Sequence, residues 1–164
     1  MIIVSPGGVS LLTEFGVCRG YDLGPDEVDI ECDSFMRISD DFLSGWIEWD
    51  YNDGKWYDSN GIPYWPKIMP YMRPYARRTA GTPLHMSFNT TTLEFNFEFE
   101  ADLSIEAPTE LFLPPQRYTT GVAITVSEGF FVSPVFGEDV IGLYHVVPSE
   151  NEGQTRAKVL AFPL

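Results

Sequence analysis

Residues 93–100 alternate without a break, with Leu93, Phe95, Phe97 and Phe99 set against Glu94, Asn96, Glu98 and Glu100. Successive side chains of a β-strand point to opposite faces, so this order puts four apolar groups on one side and four polar groups on the other. A helix would scatter the same residues around its circumference. The segment therefore reads as a half-buried antiparallel strand. Residues 85–88 can pair with it across Asn89-Thr90-Thr91-Thr92, and further strands are expected at 110–113, 122–126, 130–133, 141–147 and 157–162. Six or seven short strands separated by Gly and Pro predict an all-β, immunoglobulin-like sandwich over residues 80–164.

Before residue 80 the pattern is different. The order is an apolar strand at 9–12, a helix over roughly 25–43, a strand at 45–51, and a last segment at about 63–76. Phe35, Met36, Ile38, Phe42 and Leu43 give an imperfect helical stripe expected to pack on a sheet. Pro63, Pro66, Pro70 and Pro74 interrupt the last segment, which predicts broken turns of helix. The organisation changes near residues 79–83, so the domain boundary is placed after Thr79.

The chain has 164 residues, whereas a complete α/β barrel takes about 250. It has room for one domain and part of another. A hydrophobic content of 44% argues for a globular chain rather than a disordered one. The formal net charge of −14 repels phosphate backbones and anionic lipid surfaces, which excludes nucleic acid as an expected partner. Arg73, Arg77 and Arg78 form the local basic cluster and read as a positive last turn complementing a helix C-terminus. No apolar run approaches 18 residues, and the N-terminus lacks the pattern of a signal peptide.

In Leu11-Leu12-Thr13-Glu14-Phe15-Gly16 an apolar strand ends in an acidic residue and a glycine. Barrel enzymes present catalytic carboxylates in this way, at the C-terminal ends of their strands; a solvated loop residue is the plainer reading. Asp50, Asn52, Asp53 and Asp58 invite a calcium site, but Gly54 stands one position early for the Asp-x-Asp-x-Asp-Gly loop, and a solvated acidic turn is preferred. His85 and His145 read as structural strand residues, and no phosphate-loop, Cys-x-x-Cys or Gly-x-Ser-x-Gly pattern is present. Neither a cofactor nor a metal is implied. Cys18 and Cys32, the only cysteines, are compatible with one disulfide or with two buried thiols. Asn89-Thr90-Thr91 is a candidate glycosylation acceptor in an expected turn.

Four motifs in order carry a resemblance: residues 11–16, residues 46–53 with Trp46 and Trp49, Arg73-Pro74-Tyr75-Ala76 with Ala80-Gly81-Thr82-Pro83, and Pro108-Thr109-Glu110-Leu111-Phe112-Leu113-Pro114. Together they resemble the C-terminal part of endoglycosylceramidases and related members of glycoside hydrolase family 5. The resemblance implies a fragment of a TIM barrel, its last two βα units at 1–79, followed by the β-sandwich at 80–164. Glu14 then matches the nucleophile of the seventh strand. Trp49, or in second place Trp46, matches the aromatic that floors the sugar site. Trp56, Tyr57, Tyr64 and Trp65 are expected to stack on sugar or to lie where barrel and sandwich meet.

The Asn-Glu pair that carries the family's acid/base, with the first six strands, lies outside this sequence. The implied function is the C-terminal portion of a retaining endo-glycosidase that hydrolyses the oligosaccharide–ceramide bond of glycosphingolipids and is inactive as an isolated chain. A noncatalytic module binding carbohydrate, lipid or protein is the alternative. The implied partners are a glycolipid or oligosaccharide substrate once the barrel is completed, and a chain carrying the missing strands. The implied location is secreted, lysosomal or extracellular.

Overall fold

The structure, a computed structural model, describes residues 11–15, 25–49, 56–137, 141–149 and 155–164. It divides into two compact units, Met1–Met72 and Arg73–Leu164.

In the first unit, β1 (Leu11–Phe15) pairs in parallel with β2 (Gly45–Glu48), and α1 (Pro25–Asp41) connects them in sequence. Pro25 suits a first helical position, where its missing N–H would have no intrahelical partner. The helix stops two residues before the expected position because Leu43 turns left-handed at φ 51°. Ser44 N–H then donates to Ser39 C=O at 2.8 Å and Leu43 N–H to Asp40 C=O at 2.9 Å, the paired bonds of a Schellman stop.

The packed face of α1 also differs from the expected stripe. Cys32, Met36, Ser39 and Asp40 are buried, while Ile38 and Phe42 are exposed. The steps 32, 36, 39 and 40 follow the helical repeat, but serine and aspartate are polar and cysteine is small, so a reading of large hydrophobics alone finds only Met36 of this face. Ser39 satisfies its buried hydroxyl by donating to Phe35 C=O at 3.2 Å. Leu12, Phe35, Trp46 and Tyr71 pack against Cys32 and Met36.

Further along, α2 (Trp65–Ile68) and a 3₁₀ turn (Met69–Tyr71) supply the broken helix. It ends earlier than expected. Tyr75–Arg78 forms strand β3 in the second unit, where Tyr75 faces Phe112 and Ala76 faces Leu111. Residues preceding a proline disfavour helix, and Arg73-Pro74 is where the chain becomes extended.

The second unit has two four-stranded sheets, one ordered β4 (Gly81–Phe88), β5 (Phe95–Ala101), β10 (Arg156–Pro163), β7 (Val122–Val126). The other is ordered β3, β6 (Thr109–Phe112), β9 (Leu143–Pro148), β8 (Phe130–Pro134). Both sheets contribute to one core: Phe88, Phe95, Phe97 and Phe99 from the first, Leu111, Phe130 and Val146 from the second. The alternation of β5 explains why. Phe95, Phe97 and Phe99 are all buried, and on β10 they face Ala161, Val159 and Ala157. Large rings opposite small side chains interdigitate without a void. Phe99 reaches the other sheet, with its ring 6.0 Å from that of Phe130.

Candidate active site

Glu14 is the penultimate residue of β1. The parallel register runs regularly from Leu11↔Gly45 to Thr13↔Ile47 and then shifts, so that Phe15 faces Glu48. Glu14 is thus the backbone position at an irregularity of the ladder. Such bulges re-aim side chains and recur beside active sites. Because the strands are parallel, both C-terminal ends lie at one edge of the pair, and Trp49 directly follows β2 there. The side chain of Glu14, together with Cys18, Asp50, Asn52 and Asp53, lies outside the described residues.

The two tryptophans have opposite surroundings, as alternation along β2 requires. Trp46 is half-buried, packs against Cys32 and Met36, and lies 5.9 Å from the ring of Tyr71. Trp49 is 61% exposed. Of the two, Trp49 presents a face that a ligand can reach, whereas Trp46 belongs to the small core of its unit. Glu48 is half-buried on the same side as Trp46.

The remaining aromatics also separate. The ring of Trp56 lies 5.2 Å from that of Tyr71, and the Lys67 ammonium sits 4.7 Å above Trp56. Lys67 is buried, so its charge rests against an aromatic face that attracts it. Tyr71 and Lys67 joined no sequence motif; Lys67 lies in the short α2 and Tyr71 in the 3₁₀ turn after it, elements too short for periodicity to register. Tyr57, Tyr64 and Trp65 are exposed. Asp58 organises the turn before α2: its Oδ1 accepts the N–H groups of Asn60 and Ile62 at 2.8 Å each. Those bonds, Ile62's first, hold its carboxyl below the usual carboxylate range. Among the described residues no three His, Cys, Asp or Glu side chains come together as a metal site. Cys32 is buried and disulfide-bonded.

In the second unit the basic cluster is not a helix terminus. Arg77 and Arg78 lie on β3, with nitrogens 3.4 and 3.6 Å from Glu110 Oε2, and His145 Nε2 is 3.7 Å from Glu110 Oε1. The three strands β3, β6 and β9 bring these residues together through the pairs Arg78↔Glu110 and Glu110↔His145. Arg73 is buried, donates to Phe88 C=O at 3.2 Å and lies 5.1 Å over the Phe88 ring. His85 Nε2 and Ser87 Oγ are 3.2 Å apart on β4. The contacts of Arg77, Arg78, Glu110 and His145 lie within one sheet and that of His85 with Ser87 along β4, while Arg73, just before β3, reaches Phe88 on β4 of the other sheet.

The sequence profile described as the glycoside hydrolase family 5 C-terminal domain matches residues 73–159. The chain belongs to this family. Its matched part begins at the residue where the second compact unit begins, and the mostly β architecture there agrees with that domain. The similarity that the four sequence motifs suggested is therefore borne out. Among solved structures, endo-glycoceramidase II from Rhodococcus sp. is 25% identical, with a TM-score of 0.65 over 94% of this chain and 33% of its own. Structures of that enzyme include a ganglioside GM3 complex and a lactosyl-enzyme intermediate. Sterylglucosidase 1 from Cryptococcus neoformans shares the fold at 16% identity, with a TM-score of 0.64 over 93% of this chain and 28% of its own. A glucosylceramidase from Rhizopus delemar is 43% identical over 47 residues, which are 29% of this chain and 7% of that protein. This glycoside hydrolase family 5 chain thus spans about a third or less of the length of these relatives.

Proposed function

We propose that this chain is the C-terminal portion of a retaining endo-glycosidase that cleaves the bond between oligosaccharide and ceramide in glycosphingolipids. Residues 1–72 are the last two βα units of a TIM barrel, and the second unit is an immunoglobulin-like sandwich. The observation that carries this reading is the placement of Glu14 at a break in the parallel register, at the strand edge where Trp49 is exposed. Active sites of such barrels occupy that edge.

In the assembled enzyme Glu14 attacks the anomeric carbon while an acid/base carboxyl from the upstream strands protonates the leaving ceramide oxygen. The same group then activates water to release the sugar. A retaining pair stands about 5–5.5 Å apart, close enough for direct attack. Trp49 stacks on the apolar face of the sugar and orients it for attack. Cys32 is disulfide-bonded and Cys18 is the one other cysteine of the chain, which favours an oxidising, secretory location. Without the upstream barrel the chain does not turn over glycolipid. No helix among the described residues is long and apolar enough to cross a membrane.

The alternative, a noncatalytic binding module, draws on the core of the second unit, whose buried residues lie between Phe88 and Ala161. Complementation separates the two. The upstream barrel portion of a family relative is co-expressed with this chain, and an activated fluoride glycoside is offered, with ganglioside, glucosylceramide and a steryl glucoside as parallel substrates. A covalent glycosyl adduct on Glu14 supports the enzyme reading; a folded complex labelled elsewhere, or still labelled after Glu14→Ala, refutes it.

A further inference from the structure

The five asparagines of the chain include one followed by the Asn-x-Ser/Thr pattern, Asn89-Thr90-Thr91; Asn52, Asn60, Asn96 and Asn151 lack it. Asn89 and Thr91 are exposed, in the loop between β4 and β5. The loop is held by its own backbone: Asn89 N–H donates to Glu94 C=O at 2.9 Å, and Leu93 N–H to Asn89 C=O at 2.8 Å. The side chain is held at one end. Its Oδ1 accepts the N–H groups of Thr91 at 2.9 Å and Thr92 at 3.0 Å. Among the described residues its Nδ2 donates no hydrogen bond.

We propose that Asn89 carries an N-linked glycan, attached as the chain passes through the secretory pathway. The donor class is an oligosaccharide on a lipid pyrophosphate. Nδ2 attacks the anomeric carbon, the new N–C bond replaces the C–O bond to pyrophosphate, Nδ2 gives up one proton, and the lipid pyrophosphate leaves. That transfer recognises an Asn followed two residues later by Ser or Thr, which Asn89 and Thr91 supply. The folded chain accommodates the product, since an exposed loop places a bulky polar group in water. A glycan on a core-facing or strand-interior residue would instead break packing. An independent observation points to the same compartment: the disulfide of Cys32 belongs to an oxidising environment. The inference does not depend on the glycosidase reading, because it needs passage through that compartment and no catalytic activity.

The test expresses the 164-residue chain behind a cleavable secretion signal in a yeast host. Intact mass is read on signal-cleaved chain from both the medium and the endoplasmic reticulum, so a chain retained by slow folding is still scored. The expected result is a heterogeneous mass excess that peptide N-glycosidase F removes. Asn89→Asp keeps an oxygen to accept the Thr91 and Thr92 N–H groups while deleting the amide nitrogen, and it should lose the excess completely. Thr91→Ala should lose it too, and Thr91→Ser should keep it. Signal-cleaved wild-type chain without the excess, or an excess that survives Asn89→Asp, overturns the proposal.

Discussion

Residues 73–164 close a core of their own, whereas the described part of residues 1–72 buries few apolar side chains. In the second unit, rings and aliphatic groups from both sheets interlock until Phe95, Phe97, Phe99, Leu111, Ala157, Val159 and Ala161 are at most 1% exposed. In the first, the described buried apolar residues are Cys32 and Met36. Leu11 and Ile47, on the two parallel strands, are each 51% exposed, and Phe42 at the end of the helix is 77% exposed. Parallel sheets occur where both faces are covered, and a two-stranded sheet is marginal in water. The contrast teaches a division of labour. The second unit holds the larger described core, while the first holds the strand ends at which chemistry is proposed and, on that proposal, gains rigidity from further strands.

The largest effect expected from this division is catalytic. In a protein completed with the upstream barrel, Glu14→Gln should lower kcat by about 10⁴–10⁶-fold, the scale of removing a nucleophile, with little change in thermal stability. A glycosidase assay with a thermal melt checks both. A loss of less than tenfold would place the nucleophile elsewhere.

Next in size is a change confined to the second unit. Phe97→Ala should destabilise residues 73–164 by about 3–5 kcal/mol, since it removes a fully buried ring and leaves a cavity between Val159 and its neighbours. Denaturant unfolding of residues 73–164 alone reads this. A cooperative transition in the parent segment is part of the expectation.

The two tryptophans sharpen the comparison within the first unit. Trp46→Ala should cost the completed protein about 2 kcal/mol, less than a fully buried aromatic because Trp46 is half-buried. Trp49→Ala should leave stability within about 0.5 kcal/mol, as for other exposed positions, and raise KM or lower kcat. Reversed outcomes would exchange their roles.

The smallest effect lies on the outer face of the β5–β10 pair. Glu98 accepts hydrogen bonds from Arg156 at 3.1 Å and faces Lys158 at the same distance. These bonds, Arg156's first, hold its carboxyl below its ordinary value of 4.5. A depressed carboxyl stabilises the fold above its unfolded pKa, and the contribution is lost as pH falls through the folded value. Glu98→Gln should therefore cost about 0–1 kcal/mol near neutral pH, and the difference from wild type should shrink as the medium is acidified below pH 4.5. Melts across that range, at low and high salt, follow it.

Much of the second unit was legible in the sequence, since alternation maps one-to-one onto strand faces. β7 lies at the expected residues 122–126, and β5, β6, β8, β9 and β10 begin and end within two residues of theirs. β3 was not legible. Tyr75–Arg78 continue a segment that the sequence reads as broken helix, and their strand character comes from pairing with β6 more than thirty positions away. The helix stop at Leu43 was hidden because left-handed conformation there is carried by leucine rather than glycine. Glu14 and Trp49 are proposed through motif resemblance. The bulge that singles out Glu14 is a property of two strands together and has no signature in either alone.

Hydrogen exchange measured by mass spectrometry tests the central contrast most directly, comparing the 164-residue chain alone with the same chain completed by the upstream barrel. In the chain alone, amides of β5, β6, β9 and β10 should exchange slowly, and those of β1 and β2 should exchange close to the rate of an open chain. Completing the barrel should slow β1 and β2 by orders of magnitude and leave the second unit nearly unchanged. Equal, slow exchange of β1 and β2 in the chain alone would contradict the account, because it would mean that residues 1–72 are already a finished structure.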